Sequence, residues 1–231
     1  MSTIDRERIA IIPPLLDGER LDARTFHERY EAMPTSTWAE LIGGVVYMPS
    51  PLFWDHGGTG RSAAGWLLHY QRYTPGVRGE ENASVLLGEG TEAQPDHTLR
   101  IRPDHGGRTR HEGGYIVGPP ELVVEVSKSS RRFDFGPKKD DYERAGVAEY
   151  LVLALEPDEA FWFVLRDGAF ERLAPGADGL YRSAVFPGLR LDPAAFFEED
   201  LPRLFAALDL GLESPEHAAF IDRLARAGEK A

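Results

Sequence analysis

One short apolar run, ELVVEVS at residues 121–127, constrains the fold more than any other part of the chain. Leucine and valine dominate it, which is typical of a strand that is buried on both faces. A second run of this kind, EYLVLAL, begins at residue 149 after a segment of helical character. A strand, a helix and a strand in this order indicate a layered α/β or α+β fold built around a mixed sheet.

Further sequence signals predict the elements around these two strands. Gly43-Gly44 separates WAELI from VVYM, and two glycines between apolar runs predict a tight hairpin because primed turns need positive φ. Asp134 is predicted to cap the helix before EYLVLAL, with Pro137 in its first turn and Gly146 as its left-handed stop. The other expected helices cover residues 21–33, 61–73, 201–210 and 215–227, and the other expected strands cover residues 77–87 and 97–101.

Two long stretches complete the expected organisation. Residues 102–120 are expected to form a loop rich in glycine and arginine. The runs AFWFVLR, AFERLA and LYRSAVF, separated by turn residues, predict an antiparallel meander. There is no fixed-period repeat and no composition shift that would mark a linker. We therefore expect one domain over residues 1–231, with a core at about 21–200 and a C-terminal helical extension at about 201–231.

Composition excludes several classes of protein. The 231 residues contain no cysteine, which excludes disulfides, cysteine-ligated zinc, iron–sulfur clusters and cysteine nucleophiles. The start, MSTIDRERIA, is charged and lacks an apolar core, and no apolar run approaches the roughly 18 residues of a membrane span, so we expect a cytoplasmic protein. The formal charge of −12 argues against wholesale coating of nucleic acid but not against a local basic surface.

Glu125 interrupts the buried run and is the first candidate functional residue. Because side chains alternate along a strand, Glu125 shares one face with Val123, while Val124 and Val126 lie on the other. A buried, unpaired carboxylate costs several kcal/mol or becomes neutral through a shifted pKa. Glu125 therefore needs a cation, a set of strong donors or a cleft. A plain salt bridge to an arginine or lysine would also explain it.

Asp96 and Lys138 are two further candidates, each weak alone. Asp96 follows Pro95 at a strand start, where an aspartate is commonly a turn former. Lys138 lies one turn into the predicted helix, where a lysine is commonly solvated. Together with Glu125 they form a more specific set, because two carboxylates on adjacent strands can bind Mg²⁺ and a nearby ammonium can orient water or steady a transition state.

At these residues the chain resembles the Uma-type restriction endonuclease family, within the PD-(D/E)XK nuclease superfamily. The matching stretches are WAELIGGVVYMPSP with His56, then QPDHTLRI, GPPELVVEVSKSS and FDFGPKKDDYERAGVAEYLVL. The resemblance implies a restriction-endonuclease-like core, which is a mixed β-sheet flanked by helices. It also implies hydrolysis of DNA phosphodiester bonds with Mg²⁺ (or Mn²⁺), and a homodimer that cuts both strands.

The resemblance also assigns site residues by motif match. Asp96 and Glu125 are the metal-binding acids, and Lys138 and Glu40 complete the catalytic set. The superfamily's usual lysine position is occupied here by Ser127, so that Lys138 in the following helix takes its place. A second departure lies in the hairpin, where the family often has an acid before the glycine and this chain has Gly43.

Substrate contacts are expected from one histidine, one serine and three arginines. His56 matches a family histidine, and three roles are open for it: contact with phosphate, contact with a site carboxylate, or capping of the following helix. Residues 100–111 and 128–139 are both locally basic and flank the proposed site, as a binder of the phosphate backbone requires. The basic residues of these two segments would also be explained if they simply lay in a solvated loop and at the solvated start of a helix. The candidate substrate-binding residues are His56, Ser127, Arg100, Arg131 and Arg132.

Other classes of function stay open beside the endonuclease. The lysine missing at position 127 and the acidic balance would suit a catalytically silent nuclease-fold module that binds nucleic acid or protein. A glycosidase-like carboxylate pair has no supporting motif. A zinc site at His97, His105 and His111 matches no standard spacing. The glycine pairs lack the Lys-Ser/Thr of a P-loop, and GRSAAG has no partner for serine hydrolysis.

Overall fold

Two mixed six-stranded sheets form the framework of the protein in a computed structural model, which describes residues 12–48, 54–88 and 90–230. The N-terminal run MSTIDRERIA and residues 49–53 lie outside the described residues. The strands are β1 (Glu40–Ile42), β2 (Val45–Tyr47), β3 (Val77–Glu81), β4 (Val85–Leu86), β5 (Glu92–Ala93), β6 (His97–Ile101), β7 (Arg110–Glu112), β8 (Tyr115–Val117), β9 (Leu122–Ser127), β10 (Glu149–Ala154), β11 (Glu159–Arg166), β12 (Ala169–Arg172), β13 (Tyr181–Arg182) and β14 (Arg190–Leu191). The helices are α1 (Ala23–Glu31), α2 (Trp54–Arg72), α3 (Arg131–Asp134), α4 (Pro137–Ala145), α5 (Pro193–Phe197), α6 (Leu201–Leu212) and α7 (Pro215–Gly228), with a 3₁₀ turn at Pro103–His105.

The central sheet has the strand order β12-β11-β10-β9-β6-β3. Strands β9 and β10 are its parallel pair, and the chain crosses between them through α3 and α4. Every residue of both strands is buried, because helices or the second sheet cover the two faces. The predicted fold class, a mixed sheet flanked by helices, is therefore confirmed.

The second sheet has the order β2-β1-β5-β4-β8-β7 and begins with the predicted hairpin. Gly43 and Gly44 connect β1 to β2 with φ of 58° and 75°. Positive φ at both central residues is the type I′ pattern, which matches the twist of the flanking strands. The register pairs Glu40 with Tyr47, so these two side chains lie on the same face of the hairpin.

The two faces of β9 contribute to different apolar clusters. Leu122, Val124 and Val126 belong to the main core, which includes α2 and the C-terminal helices. Val123 packs in a second cluster with Tyr142 of α4. Glu125 lies on the Val123 face, as the alternation predicted, and it therefore faces towards α4.

The chain between β3 and β9 differs from the prediction. The single strand expected at residues 77–87 is wrong, because the chain turns at Asn82, where φ is 50°, and β3 and β4 enter different sheets. The loop expected at residues 102–120 contains the hairpin of β7 and β8, with Gly113 and Gly114 at its turn. These strands have only three residues each, too few to show a clear alternation in the sequence.

Boundaries differ at three further points. Asp134 does not cap α4; it ends the short helix α3, and α4 follows Gly136 with Pro137 in its first turn. The stop at Gly146 is confirmed, with φ of 84°. Helix α2 begins at Trp54 rather than at residue 61. The run LYRSAVF is not part of the meander, because β13 pairs with β14.

The C-terminal helices pack on the central sheet. Ser214 caps α7 as predicted and accepts a hydrogen bond from the main-chain N–H of His217. Leu204 and Leu208 of α6, with Phe220 of α7, are buried in the main core. Among the helices of the described residues, none combines the length and apolar character needed to cross a membrane.

Candidate active site

Residues from both sheets and from α3 and α4 line a cleft of about 820 Å³. Its floor carries charged side chains that come from distant parts of the chain. They are Glu40, Asp96, Glu125, Asp134 and Lys138. The cleft therefore brings together the four predicted catalytic residues and His56, along with an aspartate that was predicted only to cap a helix.

Strand pairing places Asp96 beside Glu125. Strand β6 runs antiparallel to β9, with His97 opposite Val124, so Asp96 lies next to the middle of β9. The main-chain N–H of Val126 donates to Asp96 Oδ2 at 2.7 Å, and that of Asp96 donates to Glu125 Oε2 at 3.4 Å. Burial would raise the pKa of Asp96, but His56 and the Val126 N–H lower it overall, so the carboxylate stays ionised.

Lys138 is buried between two of these acids. Its Nζ lies 2.9 Å from Glu125 Oε1 and 3.0 Å from Glu40 Oε1, and the side chain is 6% exposed. Burial would lower the pKa of Lys138, but Glu125 and Glu40 outweigh burial and raise it. Lys138 is therefore an ammonium at neutral pH.

Glu125 is the most strongly perturbed acid of the cleft. Its Oε1 accepts hydrogen bonds from Lys138 Nζ and from the hydroxyl of Tyr142, both at 2.9 Å. Burial raises the pKa of Glu125 well above its ordinary value; Lys138 opposes this rise, and the charges of Asp96 and Asp134 add to it. The partner of Glu125 is thus a lysine that it shares with a second acid, rather than an arginine.

The hairpin of β1 and β2 positions Glu40. The main-chain N–H of Gln94 donates to Glu40 Oε1 at 2.7 Å. Asp141 of α4 accepts from the N–H of Gly43 at 2.5 Å and from the hydroxyl of Thr91 at 2.6 Å. Gly43, which stands where the family often has an acid, is thus hydrogen-bonded to the helix that carries Lys138.

His56 and Ser127 have different surroundings. His56 lies in the first turn of α2, and its Nε2 is 3.5 Å from Asp96 Oδ1. Of its three open roles, contact with a site carboxylate agrees with this position, whereas capping does not because His56 lies inside the helix. Ser127 is fully buried, and its hydroxyl is close enough to Asp134 to lower the pKa of that carboxyl, which burial raises overall.

The three predicted arginines do not form one surface. Arg100 is fully buried and donates to Glu80 Oε2 at 3.0 Å and to Thr109 at 3.3 Å, so its guanidinium is used inside the fold. The guanidinium of Arg131 lies over the rings of Phe135 and Phe161 at 5.4 and 5.5 Å. Arg132 is the exposed member of the three.

The donor set of the cleft fits a divalent cation. Asp96 Oδ1 and Glu125 Oε2 are engaged by contacts of 3.5 and 3.4 Å, long enough to be exchanged for a metal ion. Four carboxyl groups line the cleft together with Lys138 and Lys128, and carboxylate oxygens are the ligands that Mg²⁺ prefers. No cluster of three or more His, Asp or Glu side chains stands ready for a metal within the described residues. Mg²⁺ does not require one, because it commonly takes one or two carboxylates and keeps water or phosphate as its other ligands.

The three histidines considered for zinc have separate neighbours. His97 lies 3.6 Å from Glu81, and His105 contacts Asp104 at 2.9 Å. His111 contacts Arg100 at 2.6 Å. These contacts give no support to a shared zinc site.

Sequence reasoning missed several residues that line the cleft or contact its side chains. Tyr142 had a signal, because it lies four residues after Lys138 and therefore on the same side of the helix. Gln94 had none, since its main-chain contact with Glu40 depends on the pairing of β1 with β5. Trp38 also lines the cleft, and its sequence neighbourhood alone did not indicate that position.

Comparisons with known proteins give one family match and one match to a solved structure. The model of the Uma2 family, described as "putative restriction endonuclease", matches residues 25–194. A solved structure from Anabaena variabilis, titled as a "putative nuclease belonging to DUF820", superposes with a TM-score of 0.53 at 16% identity. The match covers 78% of this chain and 97% of that one, and it shows a shared fold. No curated protein matches the chain.

Proposed function

The chain belongs to the Uma2 family, and from this membership we propose that it is a Mg²⁺- or Mn²⁺-dependent endonuclease that hydrolyses phosphodiester bonds in DNA. The family description and the fold support a nuclease. The observation that carries the finer proposal is the convergence of Asp96, Glu125 and Lys138 in one cleft. These groups come from two adjacent strands and the following helix, and their charges suit a metal ion and a phosphate.

Each residue of the site has a proposed role. Asp96 and Glu125 hold the cation, which when bound acidifies water and stabilises charge on phosphoryl oxygens. Lys138 keeps Glu125 in place through its 2.9 Å contact and supplies a fixed positive charge against the developing negative charge of the transition state. Glu40 assists by holding Lys138 from its other side. In the net reaction, the water oxygen bonds to phosphorus while the sugar oxygen leaves with a proton.

Basic residues beside the cleft support a polyanionic substrate. Lys128 lines the cleft, and Arg132 is exposed on the helix that follows β9. We propose that these side chains contact the phosphate backbone of DNA. Their contribution should weaken as the salt concentration rises, since binding to phosphates releases counterions.

Cleavage of plasmid and oligonucleotide DNA tests the proposal. Purified protein should nick DNA with Mg²⁺ or Mn²⁺, and EDTA should stop the reaction. Asp96→Asn and Glu125→Gln should each lower the rate by at least about 100-fold, the loss typical of removing a charge-stabilising group. Glu149→Gln is the matched control, because Glu149 is a buried carboxyl on the neighbouring strand but does not line the cleft. Equal rates for wild type and Asp96→Asn would sink the proposal.

A second candidate is a nuclease-fold module that binds without cutting. The observation in its favour is the direct pairing of Lys138 with both Glu125 and Glu40, which satisfies these charges without a metal. Isothermal titration with Mn²⁺ separates the two candidates. Heat of binding that disappears in Asp96→Asn supports the endonuclease. No heat, together with DNA binding in EDTA, supports the silent module.

A homodimer is a separate proposal that follows from the resemblance alone. Two copies would cut the two strands of a duplex. Light scattering of the purified protein at micromolar concentration gives its mass directly, to be compared with 25.7 kDa for one chain.

A further inference from the structure

One large aromatic side chain of the cleft is exposed to solvent. Trp66 and Trp162 are fully buried in the main core, whereas Trp38 is 48% exposed and lines the cleft. A single exposed aromatic side chain is ordinary, but an exposed indole in a cleft that two further aromatic rings line points to a ligand with an apolar face. The rings of Tyr47 and Phe133, which lie 4.2 Å apart between centroids, also line the cleft.

The hairpin sets the position of Trp38 relative to the charged floor. Trp38 is exposed, Ala39 is buried and Glu40 is intermediate, which is the alternation of an extended chain. Trp38 and Glu40 therefore point to the same side, separated by roughly 6.6 Å, the rise of two strand residues. Tyr47 is the cross-strand partner of Glu40 and shares this face. The cleft thus has an acidic part for a metal and a phosphate, and beside it an aromatic part.

The volume of the cleft and the net charge of the chain favour an unpaired nucleotide over a long contact with a duplex. A volume of about 820 Å³ is of the size that holds one or two nucleotides. With a net charge of −12, the chain is also poorly suited to a long electrostatic contact with two strands. Stacking on aromatic rings is the usual way in which proteins hold single strands, because every base has an apolar face.

We propose that the cleft binds an unpaired nucleotide of a DNA strand, with its base stacked on Trp38 and its phosphate towards Asp96 and Glu125. The substrate class is therefore single-stranded DNA or an unpaired stretch within a duplex. This inference rests on the proposed function for the position of the phosphate. The stacking of the base rests on Trp38 alone and can be measured without cleavage.

Cleavage assays on three matched substrates test the substrate class. They are a labelled single strand, the same strand in a full duplex, and the same duplex with an unpaired loop. The single strand and the loop should be cut with kcat/KM at least about tenfold above that of the duplex, a factor within the range for one stacked base. Trp38→Ala should raise KM for the single strand by about tenfold with little change in kcat, and Trp38→Phe should stay close to wild type.

A control variant and a binding assay make the outcomes distinct. Tyr73→Ala removes an aromatic side chain of similar exposure, 46%, at the end of α2 outside the cleft, and it should behave as wild type. Fluorescence anisotropy of a labelled single strand in EDTA measures binding without chemistry, and Trp38→Ala should weaken it about tenfold. Should Trp38→Ala fail to fold, Trp38→Leu carries the same expectation because leucine has no ring.

The outcomes separate this inference from the proposed function. Equal cleavage of single strand and duplex, unchanged in Trp38→Ala, would overturn the inference and leave the nuclease proposal standing. No cleavage of any substrate, with single-strand binding that depends on Trp38, would overturn the nuclease proposal and support the stacking site. No cleavage and no dependence of binding on Trp38 would overturn both.

Discussion

Buried carboxyl groups dominate the chemistry of individual residues in this protein. Glu125 has an ammonium partner, whereas Glu149, on the neighbouring strand β10, is bonded to neutral groups. Glu149 accepts hydrogen bonds from the hydroxyl of Ser183 at 2.5 Å and from the N–H of Ala184 at 2.6 Å. Burial raises the pKa of Glu149 to about 7, and these donors only partly oppose it. Two buried glutamates on neighbouring strands thus differ in their partners: Glu125 contacts an ammonium in the cleft, and Glu149 contacts only neutral donors in the interior.

Glu149 should make stability depend on pH. Its pKa rises from an ordinary value of 4.5 to about 7 on folding, so the folded chain binds a proton more tightly than the unfolded chain. The stabilisation of the folded chain by the protonated Glu149 is complete below about pH 4.5 and is lost as the pH rises through about 7. At about 1.36 kcal/mol for each pKa unit, the total loss is about 3 kcal/mol. Urea unfolding of wild type and Glu149→Gln at pH 5 and pH 8 measures this loss.

The free energy of unfolding should depend less on pH in Glu149→Gln than in wild type. Glu149→Gln should gain stability relative to wild type between pH 5 and pH 8, because glutamine has no proton to lose. Glu216→Gln, at an exposed position of α7, should leave the pH dependence unchanged. Parallel pH profiles for wild type and Glu149→Gln would show that the carboxyl does not titrate in this range.

At the scale of elements, the site depends on how the β1–β2 hairpin is held against α4. Asp141 lies three residues after Lys138 and therefore on a neighbouring part of the helix surface. It is buried, and it accepts hydrogen bonds from Gly43 and Thr91, which belong to the second sheet region. Helix α4 thus holds the hairpin that carries Glu40 while it supplies the ammonium that Glu40 contacts.

Asp141→Ala should loosen this junction. It removes a charged acceptor from the Gly43 N–H and the Thr91 hydroxyl, which are left unsatisfied, and from the exposed Arg144, which water can solvate. The free energy of unfolding should therefore fall by about 2–3 kcal/mol. Asp140→Ala is the matched control on the same helix, because Asp140 is exposed and contributes at most about 1 kcal/mol through the helix dipole. Chemical denaturation measures the free energy of unfolding of both variants. Equal losses of stability in Asp141→Ala and Asp140→Ala would contradict a stabilising role for the hydrogen bonds to Asp141.

At the scale of the whole molecule, the C-terminal helices share the main core with the central sheet. Leu208 of α6 is fully buried, and Phe220 of α7 is 2% exposed in the same cluster as Val124 of β9. A helix that contributes to the central core cannot leave without opening it. We therefore propose that residues 201–230 and the sheet unfold together.

Leu208→Ala tests this coupling. The substitution should lower the free energy of unfolding by about 2–5 kcal/mol, the range for a buried leucine, and unfolding should keep a single transition. Leu210→Ala on the same helix is the control, because Leu210 is 60% exposed and its loss should cost no more than about 0.5 kcal/mol. Circular dichroism and tryptophan fluorescence should give coincident curves. A separate early transition would assign the helices to an independent unit.

The sequence by itself determined the features that depend on neighbours along the chain. The apolar run around Glu125 predicted a doubly buried strand, and the period of a strand predicted the face of its carboxylate. Gly43-Gly44 predicted a primed turn, since no other pair of residues adopts positive φ as easily. Ser214 before Pro215 predicted a helix start. Each of these signals acts within a few residues, and local sequence is therefore sufficient to read it.

Only the tertiary structure decided which distant groups meet. Glu40 and Lys138 are almost one hundred positions apart, and their 3.0 Å contact depends on the packing of a hairpin on a helix. The pairing of β3 with β6 brings the buried Arg100 to Glu80, and the fold leaves Trp38 exposed. Charge counts along the chain cannot distinguish a buried arginine from an exposed one. The physical reason is that burial and pairing depend on strand register and helix docking, which join segments that share no local signal.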